Sequence, residues 1–266
     1  DPIDEVVIDY VGGKDDLARR IIRAIGTPRD RFAEDKLRLL RAVRFAAAFD
    51  FQLEPETSEA LEAMASQVTQ VSAERIAAEM RSILVHASRT QGLLLLRESG
   101  LLAAVLPELS AGPDPESRTA TGRPADDAWV ETLEVLTVLT EPSFPLALAA
   151  LLREFVNADG CHAIARRWKL ANAEAKRVAW LVAEQNSLLR AREARWPRLQ
   201  RLLVAEGIED LVALREAIAR AKGESNDDVS YCRQWLSQPR DVLDPPALVT
   251  GDDLITHGVP RGPDYH

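Results

Sequence analysis

Asp35 and Arg38 stand three residues apart in a run that reads RFAEDKLRLLRAVRFAAAFDF from Arg31 to Phe51, and they are residue types that could read a nucleobase edge. Cytosine and adenine share an exocyclic amino donor beside a ring-nitrogen acceptor. A carboxylate can take the amino proton while a guanidinium donates to the ring nitrogen. Uracil and guanine present the reverse arrangement, so the same pair faces each with two repulsions. The bland alternative is a solvated helix face carrying an Asp35–Arg38 ion pair, worth a few tenths of a kcal/mol. Spacing alone leaves both readings open.

To present these groups together the segment must be helical, and one helix over about residues 33–48 is expected. At about 100° per residue, Leu37, Leu40, Val43 and Ala47 gather on one face, the expected buried stripe. Arg38 and Arg41 lie roughly opposite it, Asp35 sits about 60° from Arg38, and Arg44 falls nearer the apolar side. Upstream, residues 6–10 (VVIDY) read as a strand stopping at Gly12-Gly13, and residues 20–25 as a second strand, favoured over a helical turn, broken by Gly26-Thr27-Pro28. Two strands with nothing upstream to pair with make a poor sheet, so the chain is expected to be the back part of something longer.

Beyond this point helix follows helix. Thr57 or Ser58, Ser72, and Ser88 or Thr90 are candidate caps, and helical patterns resume over residues 128–140, 146–155, 161–168, 174–192, 196–206 and 208–222. Residues 110–126 form the clearest loop, residues 223–228 read as a turn and residues 241–246 as a linker. With 46% hydrophobic and 28% charged residues, the composition excludes wholesale disorder. No stretch approaches the ~20 apolar residues of a membrane span. The opening lacks the basic and apolar regions of a signal peptide, and Cys161 and Cys232 form no zinc or redox spacing, so a reduced, cytoplasmic setting is expected.

The net charge of −9 conceals basic patches: ten bases against five acids over residues 14–44, and five arginines against one acid over residues 190–201. Arg190, Arg192, Arg195, Arg198 and Arg201 are either a solvated face or a set of phosphate contacts to RNA. The adjacent pair Cys161-His162 diverges on a helix, so a buried thiol beside a surface imidazole is expected. Most of the five tryptophans are expected in interhelical packing.

Asp9-x-x-Gly12-Gly13-x-x-Asp16-Leu17, followed by Glu34-Asp35-x-x-Arg38-x-x-Arg41-Ala42-x-Arg44-Phe45-Ala46, resembles consecutive motifs of the bacterial class II tRNA nucleotidyltransferase family, the CCA-adding enzymes and their poly(A) polymerase relatives. Glu74-Arg75 to Glu79, the leucine-rich segment ending Leu106-Pro107-Glu108-Leu109, and the terminal Gly251-Asp252-Asp253-Leu254 with Gly258 to Gly262-Pro263 are similar to later family segments. The resemblance implies a mainly α fold: an elongated multi-helix neck, body and tail, preceded by a short β remnant of an α/β nucleotidyltransferase head. It implies boundaries at residues 1–26 (head remnant), 27–109 (nucleobase-reading neck), 110–222 (body) and 223–266 (incomplete, tRNA-binding tail). By the same resemblance Asp35 and Arg38 form the base-reading pair, Arg41 and Arg44 are further nucleotide contacts, and Gly12, Gly13 and Asp16 form a hinge. The partner would be the tRNA acceptor arm, the substrates ATP and CTP, and the cofactor Mg²⁺ bound by the missing head.

Two departures qualify these expectations. The family's Gly-Ser with paired Asp-x-Asp, its glycine-rich phosphate loop and its Arg-Arg-Asp motif are absent, so this chain by itself is expected to bind and not to polymerise. Some relatives carry a phosphohydrolase-type body with His-Asp; here Arg153-Glu154 occupies what looks like that position, implying a decayed scaffold. A poly(A) polymerase of the same family and a non-catalytic helical RNA-binding module are the competing readings.

Overall fold

The structure, a computed structural model, describes residues 8–110, 119–245 and 251–258. Asp9 opens the order. Its Oδ2 accepts the Lys14 N–H at 2.8 Å, and its Oδ1 accepts those of Val11 and Gly13 at 3.1 and 3.0 Å. These donors would otherwise be orphaned at the start of α1 (Gly13–Ala18). The Lys14, Val11 and Gly13 amides favour the charged carboxylate and hold Asp9 at about 2. The strand expected over residues 6–10 is not formed in its described part, because residues 8–10 are irregular and serve this turn; Val6 and Val7 lie outside the described residues.

The second expected strand exists but is short, β1 (Ile21–Ile22). It pairs in parallel with β2 (Gln52–Leu53), Ile21 opposite Gln52 and Ile22 opposite Leu53. The expectation of partnerless strands is thus corrected: the partner comes from downstream. Between them lie α2 (Pro28–Glu34) and α3 (Leu37–Phe49), in place of the single helix expected over residues 33–48. The break falls on Asp35, whose backbone is extended (φ −145°, ψ 104°). Aspartate competes with the helical backbone for N–H groups, and Asp35 Oδ1 accepts the Leu37 N–H at 3.1 Å. α3 ends where Asp50 turns left-handed (φ 55°) and Phe51 N–H returns to Ala46 O at 2.9 Å.

α4 (Pro55–Met64) is capped by Glu54, not Thr57 or Ser58: Glu54 accepts the Thr57 N–H at 2.8 Å. A 3-10 turn leads to α5 (Ala73–Val85), preceded by Ser72, and then to α6 (Arg89–Glu98), preceded by Ser88, and α7 (Leu101–Val105). α2 packs on α4, and α3 on α5 and α6. The expected stripe of Leu37, Leu40, Val43 and Ala47 is buried, and Leu37, Leu40 and Val43 share a core with Leu61, Met80, Leu84 and Leu93. Each large side chain so buried contributes roughly 1.5–3 kcal/mol before conformational entropy is subtracted.

The second half comprises α8 (Ala125–Val138), α9 (Phe144–Leu152), α10 (Ala158–Arg167), α11 (Asn172–Glu184), α12 (Trp196–Leu203), α13 (Ile208–Lys222), α14 (Asp227–Leu236), α15 (Arg240–Leu243) and α16 (Gly251–Thr256). Apolar on every side, α9 is the central helix on which α5, α8, α11 and α13 pack. Arg89, 4% exposed, joins the halves. It donates to Leu84 O, Leu136 O and Leu139 O, each at 3.0 Å. One cation thereby satisfies carbonyls at the C-terminal ends of α5 and α8. Burial pulls its pKa below the ordinary arginine value.

Here too the expectations need correction. α11 stops at Glu184 instead of reaching residue 192, because the chain turns and Arg190 adopts a left-handed backbone (φ 58°). Asp228 fixes that turn by accepting the Arg190 and Arg192 N–H groups. α14 has no counterpart in the sequence reading, and α15 occupies part of the expected linker. Trp129 and Trp168 are buried, and Trp180, Trp196 and Trp235 pack half-buried against the core, as expected. Of the expected loop over residues 110–126, residues 111–118 lie outside the described residues, as do Gly262 and Pro263 of the tail segment.

Candidate functional site

A cavity of about 460 Å³ lies where β1, α2 and α3 meet. Arg23, Arg31, Arg38 and Arg41 line it, with Phe32, Ala42 and Phe45 as apolar wall. α3 supplies Arg38, Arg41 and Phe45 because its opposite face is committed to the core.

The Asp35–Arg38 pair is not formed. With α2 and α3 broken at Asp35, Arg38 Nη1 turns to Glu34 Oε2 at 2.7 Å and Arg31 O at 2.9 Å. Asp35 Oδ2 instead accepts from Arg75 Nη2 of α5 at 2.9 Å. Burial pushes the Asp35 pKa up. The Arg75 hydrogen bond, the Leu37 amide and the charges of Arg75 and Arg38 outweigh it, leaving the carboxyl below its ordinary value. Asp35 is not among the residues lining the cavity, whereas Arg38 and Arg41 are.

Arg41 and Arg44 share one carboxylate. Glu79 on α5, only 6% exposed, lies 3.3 Å from Arg41 Nε and 3.2 Å from Arg44 Nη1. As its position nearer the apolar side suggested, Arg44 belongs to a neighbouring cavity of about 260 Å³, with Phe49 and His86. Phe45 borders both cavities, and the Arg44 guanidinium lies 4.6 Å from its ring centre. Of the hinge residues, Gly12 is left-handed (φ 77°), Gly13 begins α1, and Asp16 pairs with Arg23 at 2.7 Å, tying α1 to the cavity wall.

Sequence reasoning missed Arg23, Arg31, Arg75 and Glu79 as parts of this region. Glu79 carried a readable signal: it falls on the apolar stripe of Ile76, Met80 and Ile83, where an unpaired carboxylate would be costly. Arg75 did not, since an exposed arginine on a helix is ordinary.

The second basic cluster forms another surface. Arg190, Arg195 and Arg198 line a cavity of about 450 Å³ beside α12. Arg192 pairs with Asp227 and Asp228, while the side chains of Arg190, Arg195, Arg198 and Arg201 form no ion pair among the described residues. The Cys161 thiol is buried and pushed up to about 12, and His162 is half-exposed. Among the described residues no group of three or more His, Cys, Asp or Glu is arranged to hold a metal ion. No described helix is long and apolar enough to cross a membrane.

Residues 50–112 match the family model described as "Probable RNA and SrmB- binding site of polymerase A". Mainly α, with a basic cavity at its strand clasp, the chain thus carries over residues 50–112 a segment similar to that part of polymerase A. The CCA-adding enzyme of Levilactobacillus brevis is 31% identical over 98% of this chain and 60% of its own length. That of Bacillus subtilis is 44% identical over 37% of the chain and 25% of its own. A crystal structure of the Bacillus stearothermophilus CCA-adding enzyme in complex with CTP superposes with a TM-score of 0.69 at 25% identity, covering 97% of this chain and 61% of that one. The chain is thus similar to CCA-adding enzymes over nearly its whole length, and it spans about 60% of the length of the Levilactobacillus brevis relative. A Thermotoga maritima CCA-adding enzyme complexed with tRNA shares the fold, with a TM-score of 0.64 at 18% identity.

Proposed function

We propose that this chain is the nucleotide-selecting and RNA-gripping part of a tRNA nucleotidyltransferase that adds C and A to tRNA 3′ ends from CTP and ATP in the cytoplasm. The observation that carries the reading is the four-arginine cavity beside Asp35. Arg38 spends only Nη1 on Glu34 and Arg31 O, which leaves Nε and Nη2 to donate to a ring nitrogen. Each Asp35 oxygen accepts one hydrogen bond and keeps a lone pair for an exocyclic amine. Base reading then requires the base to approach the α2–α3 junction from the cavity side, with Arg23, Arg31 and Arg41 supplying positive charge for the phosphates.

In this reading residues 27–109 form the neck, residues 110–222 the body and residues 223–266 the start of the tail. Gly12, Gly13 and Asp16 join a head, represented here by residues 1–26, to the neck. The unpaired arginines at 190, 195, 198 and 201 contact phosphates of the acceptor arm by shape and charge. Metal chemistry belongs to that head.

Equilibrium dialysis with the four nucleotides tests the neck assignment. CTP and ATP should bind more tightly than UTP and GTP, and Asp35→Asn, which keeps an acceptor for the Leu37 N–H, should reduce the preference far more than it reduces stability. Equal binding of all four removes the base-reader role. Replacing the four unpaired arginines should weaken tRNA binding and flatten its salt dependence, and an unchanged slope makes them a solvated face. The polymerase A description of residues 50–112 favours a poly(A)-adding enzyme as second reading; selectivity for ATP over CTP would mark it.

A further inference from the structure

A cavity of about 680 Å³ opens between α8, α9, α11 and α13, separate from the neck cavity and sharing Asn186 with the cavity of the second basic cluster. Its wall holds Arg153, whose side chain is 1% exposed, at the position where the resemblance places a decayed hydrolase centre. Arg153 Nη2 lies 2.6 Å from Glu131 Oε1, and Nη1 bonds Glu154 Oε1. Arg123 Nη1 bonds Glu131 Oε2, and Thr121 Oγ1 donates to Glu154 Oε2 at 2.7 Å. Lys222 Nζ lies 3.4 Å from Glu131 Oε1. Burial pushes the Glu131 pKa up, but the Arg153 and Arg123 hydrogen bonds prevail and keep it below the ordinary value.

The donor and acceptor ledger is one-sided. All four oxygens of the two buried carboxylates are taken. What remains unused is N–H: Arg153 Nε, buried with no partner among the described residues, and the further donors of Arg123 and Lys222, both about one-third exposed. Two carboxylates against three cations leave the inner cluster one positive charge in excess. A buried guanidinium N–H without an acceptor is costly, and an oxyanion supplies both the missing acceptor and the missing charge. Asp127 and Glu134, also on the lining, are exposed; Asp127 acts on Arg123, and solvent screening weakens the opposition of both carboxylates to an anion held by the buried guanidinium.

We propose that this cavity is an anion site that receives a phosphate group on Arg153 Nε, Arg123 and Lys222. The group could be carried by a free phosphate or nucleotide, or by an RNA backbone. The inference does not depend on the nucleotide-selecting role of the neck.

The experiment follows the arginine Nε–H resonances of the full chain, with Arg153 assigned by through-bond correlation, during titration with inorganic phosphate at constant ionic strength. The Arg153 signal should shift saturably, and Lys222→Gln, at the solvent edge of α13, should weaken the apparent affinity about tenfold. Arg41→Ala should leave that titration unaltered, which separates this site from the neck cavity. A short RNA duplex that moves the same signal identifies backbone phosphate as the source; movement with phosphate and ATP alone identifies a free one. An Arg153 resonance unmoved by phosphate, or moved equally in Lys222→Gln, overturns the proposal and leaves the cluster as a structural ion network.

Discussion

Asp35 shows how one side chain can hold several obligations. It breaks a helix, anchors the start of α3 through Leu37 N–H, and ties α3 to α5 through Arg75. The chemistry of an acid beside a guanidinium was legible in the sequence, but the partners were not. A three-residue spacing predicts a pair only if the helix is continuous, and aspartate's affinity for free N–H groups is what interrupts it. Arg75 lies forty residues away in sequence and reaches Asp35 only through tertiary packing. Gly207 is a second case in which one residue carries a fold constraint. Its φ is 93°, and a Cβ there would sit 1.9 Å from Arg177 Nη1. Gly207→Ala should therefore cost about 1–3 kcal/mol from backbone strain alone. Differential scanning calorimetry should show a lower Tm, with Arg177→Ala in the same background recovering only the steric share.

Among the elements, α3 best illustrates what periodicity can and cannot reveal. Its buried stripe was readable because the core accepts only apolar groups, and Leu37, Leu40, Val43 and Ala47 are where the wheel puts them. α2, β2 and α14 were not readable. α2 is a short helix begun by a proline that also reads as a breaker, β2 is two residues long, and α14 is mostly polar at its start. The C-terminal end of α3 offers a direct test. Asp50 holds a left-handed conformation with φ 55°, which costs a residue bearing a Cβ more than it costs glycine. Asp50→Gly should stabilise the protein by roughly 0.5–1 kcal/mol, read as a higher urea midpoint with unchanged slope.

Over the whole molecule, ion pairs tie together elements distant in sequence: Arg81 with Glu174, Arg167 with Glu108, Arg153 with Glu131. Arg81 lowers the Glu174 pKa. For Glu108 and Glu131 burial acts upward, yet Arg167, and Arg153 with Arg123, bring both below the ordinary 4.5. Asp9 is lowered from 3.8 to about 2. Each carboxyl is thus more acidic folded than unfolded. Its contribution to stability is present above the unfolded value and lost as pH falls through the folded one. Urea midpoints should hold near neutrality and then decline from about pH 5 towards about pH 2. A midpoint that stays flat across that window would show that these pairs do not stabilise the fold.

α3 is fastened at both extremities, at one by the Asp35–Arg75 bridge and at the other by the turn through Asp50 into the β1–β2 pairing. A beam clamped at each end can neither slide nor tip without breaking a clamp. In the proposed base-reading role, accommodation of differently sized bases along it would fall to rotation of the arginine side chains, while the rod that carries them keeps its place.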